Sequence, residues 1–274
     1  MSRPDHVRWL LWRVNRRDKC VMLLTIDVGN TQTLFGVFSR TGDLIQHFRI
    51  ASDRNKTDDE LGVLIREILH DREFDVKTLK AAIIASVVPP LTLIFERVCQ
   101  RRFRIEPLIV GPGIKTGMPI RCDNPREVGA DRIVNGVAGY EKYRADEPEG
   151  HGLIIVDFGT ATTFDVVSPQ GDYLGGAISP GVQISTDALF TRASKLPRVE
   201  LTMPKRAIGK STVESMQSGI LYGYVAMVDG MVRRMKRETG FPVKVIATGG
   251  IAGLIAKESE EIELTDDFLT LDGL

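Results

Sequence analysis

Short apolar runs separated by glycine-containing turns open the patterned part of the chain. VMLLTID, TLFGVFS and GDLIQHFRI are rich in β-branched and apolar residues, and the turns GNTQ and RTGD separate them. These runs predict three strands joined as a β-meander. Apolar residues at helical spacing follow in TDDELGVLIREILHD, where Thr57 is placed to cap the helix. AAIIASVV is typical of a buried strand that ends before Pro89 and Pro90.

The following elements alternate between helix and strand. LTLIFERVCQRRF predicts a helix, EPLIVG a short strand and REVGADRIVNGVAGYEKY another helix, so the predicted order is βββ-α-β-α-β-α. After the polar linker candidate DEPEGHG, the strand pattern restarts with GLIIVDFG, TTFDVVS and GDYLGGAIS. Helical patterns at GVQISTDALFTRASKL and TVESMQSGILYGYVAMVDGMVRRMKRETG then precede the strand PVKVIATGG and a last helical segment, IAGLIAKES.

The second half therefore repeats the order of the first. LLTIDVGNTQTLFGVFS, residues 23–39, returns as LIIVDFGTATTFDVVS, residues 153–168, which indicates an internal duplication. The length of 274 residues suits two domains. We predict an α/β protein of two similar lobes, residues 22–146 and 147–274. Residues 1–21 are basic and unpatterned, and we expect this N-terminal extension to be dispensable; a targeting or docking arm is the alternative.

Composition narrows the classes of function. Lys and Arg number 36 and Asp and Glu also 36, which argues against a partner held by charge, such as a nucleic acid or a membrane surface. Cys20, Cys99 and Cys122 are odd in number and far apart in the sequence, which argues against a disulfide framework and for a reducing compartment, so we expect a cytoplasmic protein. The four histidines show no metal-ligand spacing, and no stretch is long enough to span a bilayer.

Both repeated strands end in an aspartate that is followed by glycine and hydroxyl residues. In DVGNT, Gly29 lets the backbone approach a ligand closely, Asn30 and Thr31 supply hydrogen-bond donors, and Asp27 suits a magnesium ion bound through its water shell. The second turn, DFGTATT, offers the corresponding set of Asp157, Gly159, Thr160, Thr162 and Thr163. One such turn is weak support, but two at corresponding places in a duplicated meander predict a phosphate-binding concavity.

With ATGG at residues 247–250, the two turns resemble the phosphate-1, phosphate-2 and adenosine motifs of the acetate kinase, sugar kinase, Hsp70 and actin superfamily, whose lobes are ribonuclease H-like. From about Met22 to the C-terminus the chain more narrowly resembles the type III pantothenate kinases. The blocks that carry this likeness are IDVGNT, IIASVVPPL, VGPGIKTGMPI, DNPREVGADRIVN, VDFGTATTFDVV, YLGGAISPG, KLPRVEL, TVESMQSGILYGYV and ATGG.

The resemblance implies an enzyme that uses ATP with Mg²⁺ to convert pantothenate to 4'-phosphopantothenate, the first step of coenzyme A biosynthesis. It also implies a monovalent cation, K⁺ or NH₄⁺, and a homodimer whose substrate site lies at the subunit interface. No nucleic acid or membrane partner is expected. Two alternatives stay open: another kinase or a phosphatase of the superfamily, such as a sugar kinase or a polyphosphate phosphatase, and an accessory transcriptional regulator of the same family. The GADR block and the neutral charge argue against them.

Asp131 in GADR is the candidate proton acceptor. It follows two small residues at a predicted helix start, where the helix dipole favours an ionised carboxylate; a helix-end charge with no catalytic role is the alternative. Arg132 suits pairing with the pantothenate carboxylate or a phosphate oxygen, unless it forms a surface ion pair. By resemblance, Thr212 reaches the substrate from the neighbouring subunit, although its position also fits a helix N-cap. The substrate-binding set is Cys122, Gly129, Ala130, Asp131, Arg132 and Thr212.

The resemblance assigns the nucleotide and cation contacts in the same way. Asp157 would bind the monovalent cation, with a turn-stabilising role as the alternative, and Asp27 would hold Mg²⁺ through water. The ATP-binding set is Asp27, Val28, Gly29, Asn30, Thr31, Gln32, Thr33, Leu34 and Thr160.

Two residues depart from the pattern of the family. Cys122 stands where a tyrosine commonly contacts substrate, and Ser211 where an asparagine usually precedes the threonine. The sequence also ends at LTLDGL, where relatives continue into a last helix, so we expect the closing helix of the first lobe to be missing. The apolar helix from Thr212 onward carries Gly219, Gly223 and Ala226, which suit close approach of a second helix; a buried intramolecular helix is the alternative.

Overall fold

The computed structural model describes residues 21–144 and 147–274. The expected extension at residues 1–21 therefore lies, apart from its last residue, outside the described part of the chain, and its role stays a prediction.

The first half has the predicted order of elements. Thr57 caps α1 as predicted, because its hydroxyl accepts from the Glu60 N–H while the Glu60 carboxylate accepts from the Thr57 N–H at 2.8 Å. The predicted second helix is shorter than expected, since it passes into a π-helical turn at Cys99–Phe103. The elements are β1 Met22–Val28, β2 Gln32–Phe38, β3 Leu44–Ala51, α1 Asp58–Asp71, β4 Leu79–Ser86, α2 Pro89–Val98, β5 Leu108–Val110 and α3 Ala130–Tyr143.

The second half repeats the strands but not every helix. Two helices, α4 and α5, stand between its third and fourth strands where the first half has one, and the short β10 and α7 were not predicted from the pattern. The elements are β6 Gly152–Phe158, β7 Ala161–Val167, β8 Tyr173–Pro180, α4 Val182–Arg192, α5 Thr212–Thr239, β9 Val243–Gly249, α6 Ala252–Ile255, β10 Leu264–Thr265 and α7 Leu269–Gly273.

Each half forms a five-stranded sheet with the same topology, which confirms the predicted duplicated α/β fold. The strand orders are β3-β2-β1-β4-β5 and β8-β7-β6-β9-β10. In both sheets the first three strands are antiparallel neighbours and the last two are parallel to the first. The likeness extends to the second turn of each meander. The Gly42 N–H donates to the Ser39 carbonyl at 3.1 Å, and the Gly171 N–H donates to the Ser168 carbonyl at 3.0 Å.

The chain forms two compact units, each built on one sheet. The first contains the chain up to Gly117 together with Arg126–Val134 and Leu274, and the second contains Met118–Pro125 and Asn135–Gly273. This division differs from a boundary at residue 146, because α3 contributes its first residues to one unit and the rest to the other. α1 and α2 cover the first sheet, and α5 packs in the core of the second.

α3 lies against the second sheet along its small residues. A Cβ on Gly139 would be 2.8 Å from Ile155 Cδ1, and one on Gly136 would be 3.6 Å from Val167 Cγ2. Glycine at these positions lets the helix backbone approach β6 and β7 closely, so that Asn135, fully buried, is held over the end of β6. Of the helices in the described ranges, not one combines the length and apolar character needed to cross a bilayer.

Candidate active site

The turn between β1 and β2 is a tight hairpin at the carboxyl end of β1. The Gly29 N–H donates to the Gln32 carbonyl at 3.1 Å, and a Cβ on Gly29 would be 2.9 Å from that oxygen. Glycine is therefore needed for the chain to close this turn. Asn30 is exposed, and its Oδ1 accepts from Arg54 at 3.1 Å, so its amide nitrogen is the donor it offers at the surface.

The predicted ATP-binding residues differ in how accessible they are. Val28 and Thr33 are fully buried, and the Thr33 hydroxyl bonds to that of Ser52 at 2.9 Å. Asp27 and Leu34 are half-buried. The exposed part of the segment consists of Asn30, Thr31 and Gln32.

Val87 joins this turn to the segment that carries Asp131. Because β4 is parallel to β1, both strands end at the same edge of the first sheet. The Val87 N–H, just past β4, donates to the Val28 carbonyl at 3.1 Å. A Cβ on Gly129 would lie 3.6 Å from Val87 Cγ1. The start of the GADR segment and the β1–β2 turn therefore lie at one edge of one sheet.

Asp131 lies in the first turn of α3. The Gly129 carbonyl accepts the helical bond from the Ile133 N–H at 3.2 Å, and Asp131 Oδ1 accepts from the Arg132 N–H at 2.8 Å. The same Oδ1 would be only 2.5 Å from a Cβ on Gly129. The carboxylate thus occupies the space that a side chain at residue 129 would fill, and glycine there is a condition of its placement.

The acidity of Asp131 differs from what the helix dipole alone suggests. Burial raises the pKa of the Asp131 carboxyl above its ordinary value, and this outweighs the Arg132 N–H and the Arg132 charge, which lower it. A carboxylate with a raised pKa is a stronger base, which favours proton abstraction from a hydroxyl. The expected proton acceptor is therefore tuned by burial rather than held at low pKa.

The turn between β6 and β7 repeats these features in the second sheet. The Gly159 N–H donates to the Ala161 carbonyl at 3.1 Å, and the Gly250 N–H donates to the Phe158 carbonyl at 3.2 Å, as Val87 does to Val28 in the first sheet. Gly249 has a φ of +95°, and a Cβ there would be 2.7 Å from Asp157 Oδ1. The end of β6 and the ATGG segment therefore meet at one edge, with Asp157 against the glycine.

Asn135 holds the other oxygen of Asp157 and is itself held by Thr270, and neither residue was expected to have a role. Asn135 Nδ2 donates to Asp157 Oδ2 at 3.0 Å, and Asn135 Oδ1 accepts from the Thr270 hydroxyl at 2.7 Å. The sequence carries one signal for Asn135, since it follows Asp131 by four residues, the spacing of one helical turn. The sequence carries no comparable signal for Thr270.

Thr212 is not the N-cap of α5. Ser211 holds that position with extended backbone, and its hydroxyl accepts from the Glu214 N–H at 3.2 Å, while Thr212 is the first helical residue. The N-cap alternative for Thr212 is therefore wrong. Thr212 instead lines a groove of about 540 Å³ on the second unit together with Leu189 and Gly219.

Cys122 lies beside β8. Its Sγ is 3.7 Å from where a Cβ on Gly175 would be, and the preceding Arg121 bonds to β8 through its N–H and to Asp172 through its guanidinium at 3.0 Å. Within the described ranges, no three His, Cys, Asp or Glu side chains cluster in a way that would hold a metal ion by themselves.

Sequence comparison decides the family. The family model described as type III pantothenate kinase matches residues 23–234. The chain is 55% identical over 253 residues to a protein of Myxococcus xanthus (strain DK1622) named type III pantothenate kinase, covering 92% of this chain and 96% of the relative. The chain belongs to the type III pantothenate kinase family.

Solved structures share the fold of this family member at low identity. One, described as a Baf family transcriptional activator from Campylobacter jejuni, has a TM-score of 0.54 at 18% identity and covers 91% of this chain and 94% of its own. An inorganic polyphosphate/ATP-glucomannokinase from an Arthrobacter strain has a TM-score of 0.51 at 13% identity, covering 92% and 96%. At these identities the likeness concerns the architecture alone.

Proposed function

We propose that this type III pantothenate kinase family member transfers the γ-phosphoryl group of ATP to the terminal hydroxyl of pantothenate, giving 4'-phosphopantothenate and ADP. Besides the family itself, the observation that carries the proposal is the position of Asp131. The GADR segment lies at the sheet edge that also carries the β1–β2 turn, with Val87 between them. A base and a phosphate-binding turn at one edge suit phosphoryl transfer, which asks a protein mainly for positioning and charge neutralisation.

In the proposed reaction Asp131 accepts the proton of the attacking hydroxyl. The oxygen freed of its proton bonds to the γ-phosphorus, the bond from that phosphorus to the bridging oxygen breaks, and ADP leaves with the electron pair. Arg132 pairs with the pantothenate carboxylate and orients the substrate, with Gly129 and Ala130 supplying backbone contacts. The raised pKa of Asp131 makes it a stronger base for the first of these events.

The nucleotide contacts are assigned to residues 27–34 and Thr160, with the glycine turn at residues 247–250 for the adenosine. Asp27, half-buried at the end of β1, suits Mg²⁺, which is usually held by one or two carboxylates together with substrate phosphates and water. Asp157 suits a monovalent cation because a carboxylate oxygen lies against Gly249, where a side chain would fill the space. Bound cations would neutralise charge on the triphosphate; the chain's own part is to orient the two carboxylates.

We also propose a homodimer in which the groove at Thr212 is covered by a second copy of the chain. Gly219 and Gly223 line this groove, and a Cβ on either would meet nothing within 4 Å. Leu189, which lines the groove, is 38% exposed, and Val213, next to Thr212 in the chain, is 43% exposed, although both are apolar. Exposed apolar side chains around a glycine-lined helix favour a protein partner, here a second copy of this chain. Thr212 would then contact pantothenate bound by the other subunit.

The test of activity is a coupled assay for ADP formation with and without pantothenate. Pantothenate-dependent ADP release that is lost in Asp131→Asn supports the proposal. Release that does not depend on pantothenate, or that requires a sugar or polyphosphate, would instead indicate one of the superfamily alternatives. No turnover with any of these would favour a regulator.

Mixing two inactive variants tests the shared site. In a heterodimer of an Asp131→Asn chain and a Thr212→Arg chain, one site carries both changes and the other carries neither. Activity should therefore return on mixing. A monomer in sedimentation, or mixed subunits that demonstrably exchange and stay inactive, would contradict the dimer.

A further inference from the structure

Two buried polar side chains, Thr270 and Asn135, connect the last helix to Asp157 by two hydrogen bonds, and we call this arrangement the relay. We infer that Asn135 and Thr270 are positioning residues that orient the Asp157 carboxylate toward the cation and nucleotide, so that α7 sets the geometry of the cation site. This inference rests on the proposed role of Asp157 in binding a monovalent cation.

The donor and the acceptor of each hydrogen bond in the relay are fixed. Asp157 accepts at Oδ2 from Asn135, 3.0 Å away, so the Asn135 amide must turn its NH₂ toward the carboxylate. Its oxygen then faces Thr270, whose hydroxyl donates to it at 2.7 Å. Turning the amide over would put its oxygen against the carboxylate, which is repulsive. The carboxylate therefore fixes which way the Asn135 amide faces, and the Thr270 hydroxyl holds the amide in place by donating to its oxygen, which in turn holds Asp157.

Burial protects the two hydrogen bonds of the relay from water. Asn135 is fully buried and Thr270 is 9% exposed, so water cannot easily replace either bond. The other oxygen of Asp157, Oδ1, lies against the backbone of the Gly249 turn. One oxygen is thus held by the relay while the other is directed to the edge where β6 and β9 end. Outer residues that orient a ligand in this manner tune cation affinity.

α7 has anchors that do not depend on the Thr270 hydroxyl. Leu269 and Leu271 are buried, and Lys142 on α3 pairs with Asp266 at 2.6 Å and with Asp272. Replacing Thr270 by valine, which has nearly the same shape, should therefore leave α7 in place while removing one donor. This makes Thr270→Val a test of orientation rather than of folding.

The experiment measures how potassium affects the intact enzyme and its variants. The half-activating K⁺ concentration is determined for wild type, Thr270→Val, Thr270→Ser and Asn135→Leu, with Thr186→Val as matched control. Thr186 is also a buried threonine, but its hydroxyl bonds only a helical carbonyl, that of Val182 at 2.7 Å. We expect the half-activating K⁺ concentration to increase roughly 10- to 100-fold for Asn135→Leu and about fivefold for Thr270→Val, whose hydroxyl is one hydrogen bond further from Asp157. Thr270→Ser restores the donor and should behave like wild type, as should Thr186→Val.

A binding measurement without turnover accompanies the kinetics. The Kd of a non-hydrolysable ATP analogue with Mg²⁺ is measured by calorimetry in potassium chloride and in sodium chloride. Wild type should bind more tightly in potassium, and Thr270→Val should lose most of this difference while melting within a few degrees of Thr186→Val.

The outcomes separate the two proposals. If wild type responds to potassium and both Thr270→Val and Asn135→Leu show the same half-activating K⁺ concentration as wild type, the relay is wrong and the cation role of Asp157 stands. If wild type behaves alike in potassium and sodium, the cation role fails and the relay fails with it, whereas pantothenate-dependent ADP release would still support the kinase. If Thr270→Ser is as impaired as Thr270→Val, the hydroxyl is not the group that matters, and the relay is again overturned.

Discussion

Gly129→Ala should produce a folded protein with a misplaced base. The new Cβ would lie 2.5 Å from Asp131 Oδ1, whereas the next neighbouring atom beyond the Asp131 side chain, Val87 Cγ1, would be at an ordinary 3.6 Å. The backbone at Gly129 does not have a positive φ, so alanine there does not meet the strain of the left-handed region that favours glycine. The clash therefore falls on the movable end of one side chain, the carboxylate of Asp131.

The size of the effect follows from this distance. Oδ1 must move by roughly 0.9 Å to reach ordinary van der Waals contact at 3.4 Å, and it then loses its 2.8 Å bond from the Arg132 N–H. A misplacement of about 1 Å in a reacting group costs on the order of 10²-fold in rate. Stability should change little, because the lost hydrogen bond, about 1 kcal/mol, is offset by the lower chain entropy of alanine, about 0.4–1 kcal/mol.

Steady-state kinetics with coupled ADP detection, together with thermal melting, measure the two effects. We expect kcat to fall about 100-fold while the KM for ATP and the Tm stay near wild type. Gly253→Ala is the matched control, since a Cβ there meets nothing within 4 Å. The double variant sharpens the test: on an Asp131→Asn background, Gly129→Ala should cost little more, because both changes act through one group. Full activity in Gly129→Ala, or an undiminished further loss in the double variant, would refute the reasoning.

Three further predictions concern stability and the second turn. Burial raises the pKa of the Asp131 carboxyl in the folded state above its ordinary value of 3.8, so the unfolding free energy of wild type falls as pH rises from 3.8 through the raised pKa. In urea unfolding, Asp131→Asn should therefore be more stable than wild type at neutral pH and should lose this advantage as pH falls toward 3.8. It should also lose roughly 10²- to 10⁴-fold in kcat. Lys142→Met should cost about 1–3 kcal/mol of unfolding free energy, because it leaves the mostly buried Asp266 carboxylate without its cation; an unchanged urea midpoint would contradict this. Gly249→Ala forces a φ of +95° on alanine against Asp157 and should cost about 1–3 kcal/mol and most of the activity; a fully active, equally stable variant would remove the close-approach argument.

The meander and its repeat could be predicted from the sequence because strand runs, turn glycines and caps are local. Thr57 and Glu60, three residues apart, are sufficient to indicate the capping box that begins α1. Ser39 and Ser168, each directly after the second strand of its sheet, likewise form the same turn in both sheets. Each of these features depends on fewer than five consecutive residues, so a single sequence contains what is needed to recognise it.

One local prediction failed where two adjacent residues compete for the same role, and one property depended on burial. Ser211 and Thr212 both have hydroxyls suited to capping α5. Ser211 is the N-cap because its backbone is extended, with a φ of −132° and a ψ of 164°. For Asp131 the helix start was correct, but the raised pKa of its carboxyl could not be read from the sequence, because the sequence does not show how deeply the carboxylate is buried. The unpredicted β10 is two residues long, too short for any periodicity to develop.

The relay to Asp157 lay beyond sequence reasoning for a different reason, which also explains how it works. Thr270 meets Asn135 across 135 positions of the chain, and Asn135 meets Asp157 across 22, so each bond exists only once the second sheet and α3 have packed. Removing the Thr270 hydroxyl should therefore act on Asp157 through Asn135 and lower cation affinity, which is why the potassium response, rather than kcat alone, is the measurement that reports on these two hydrogen bonds.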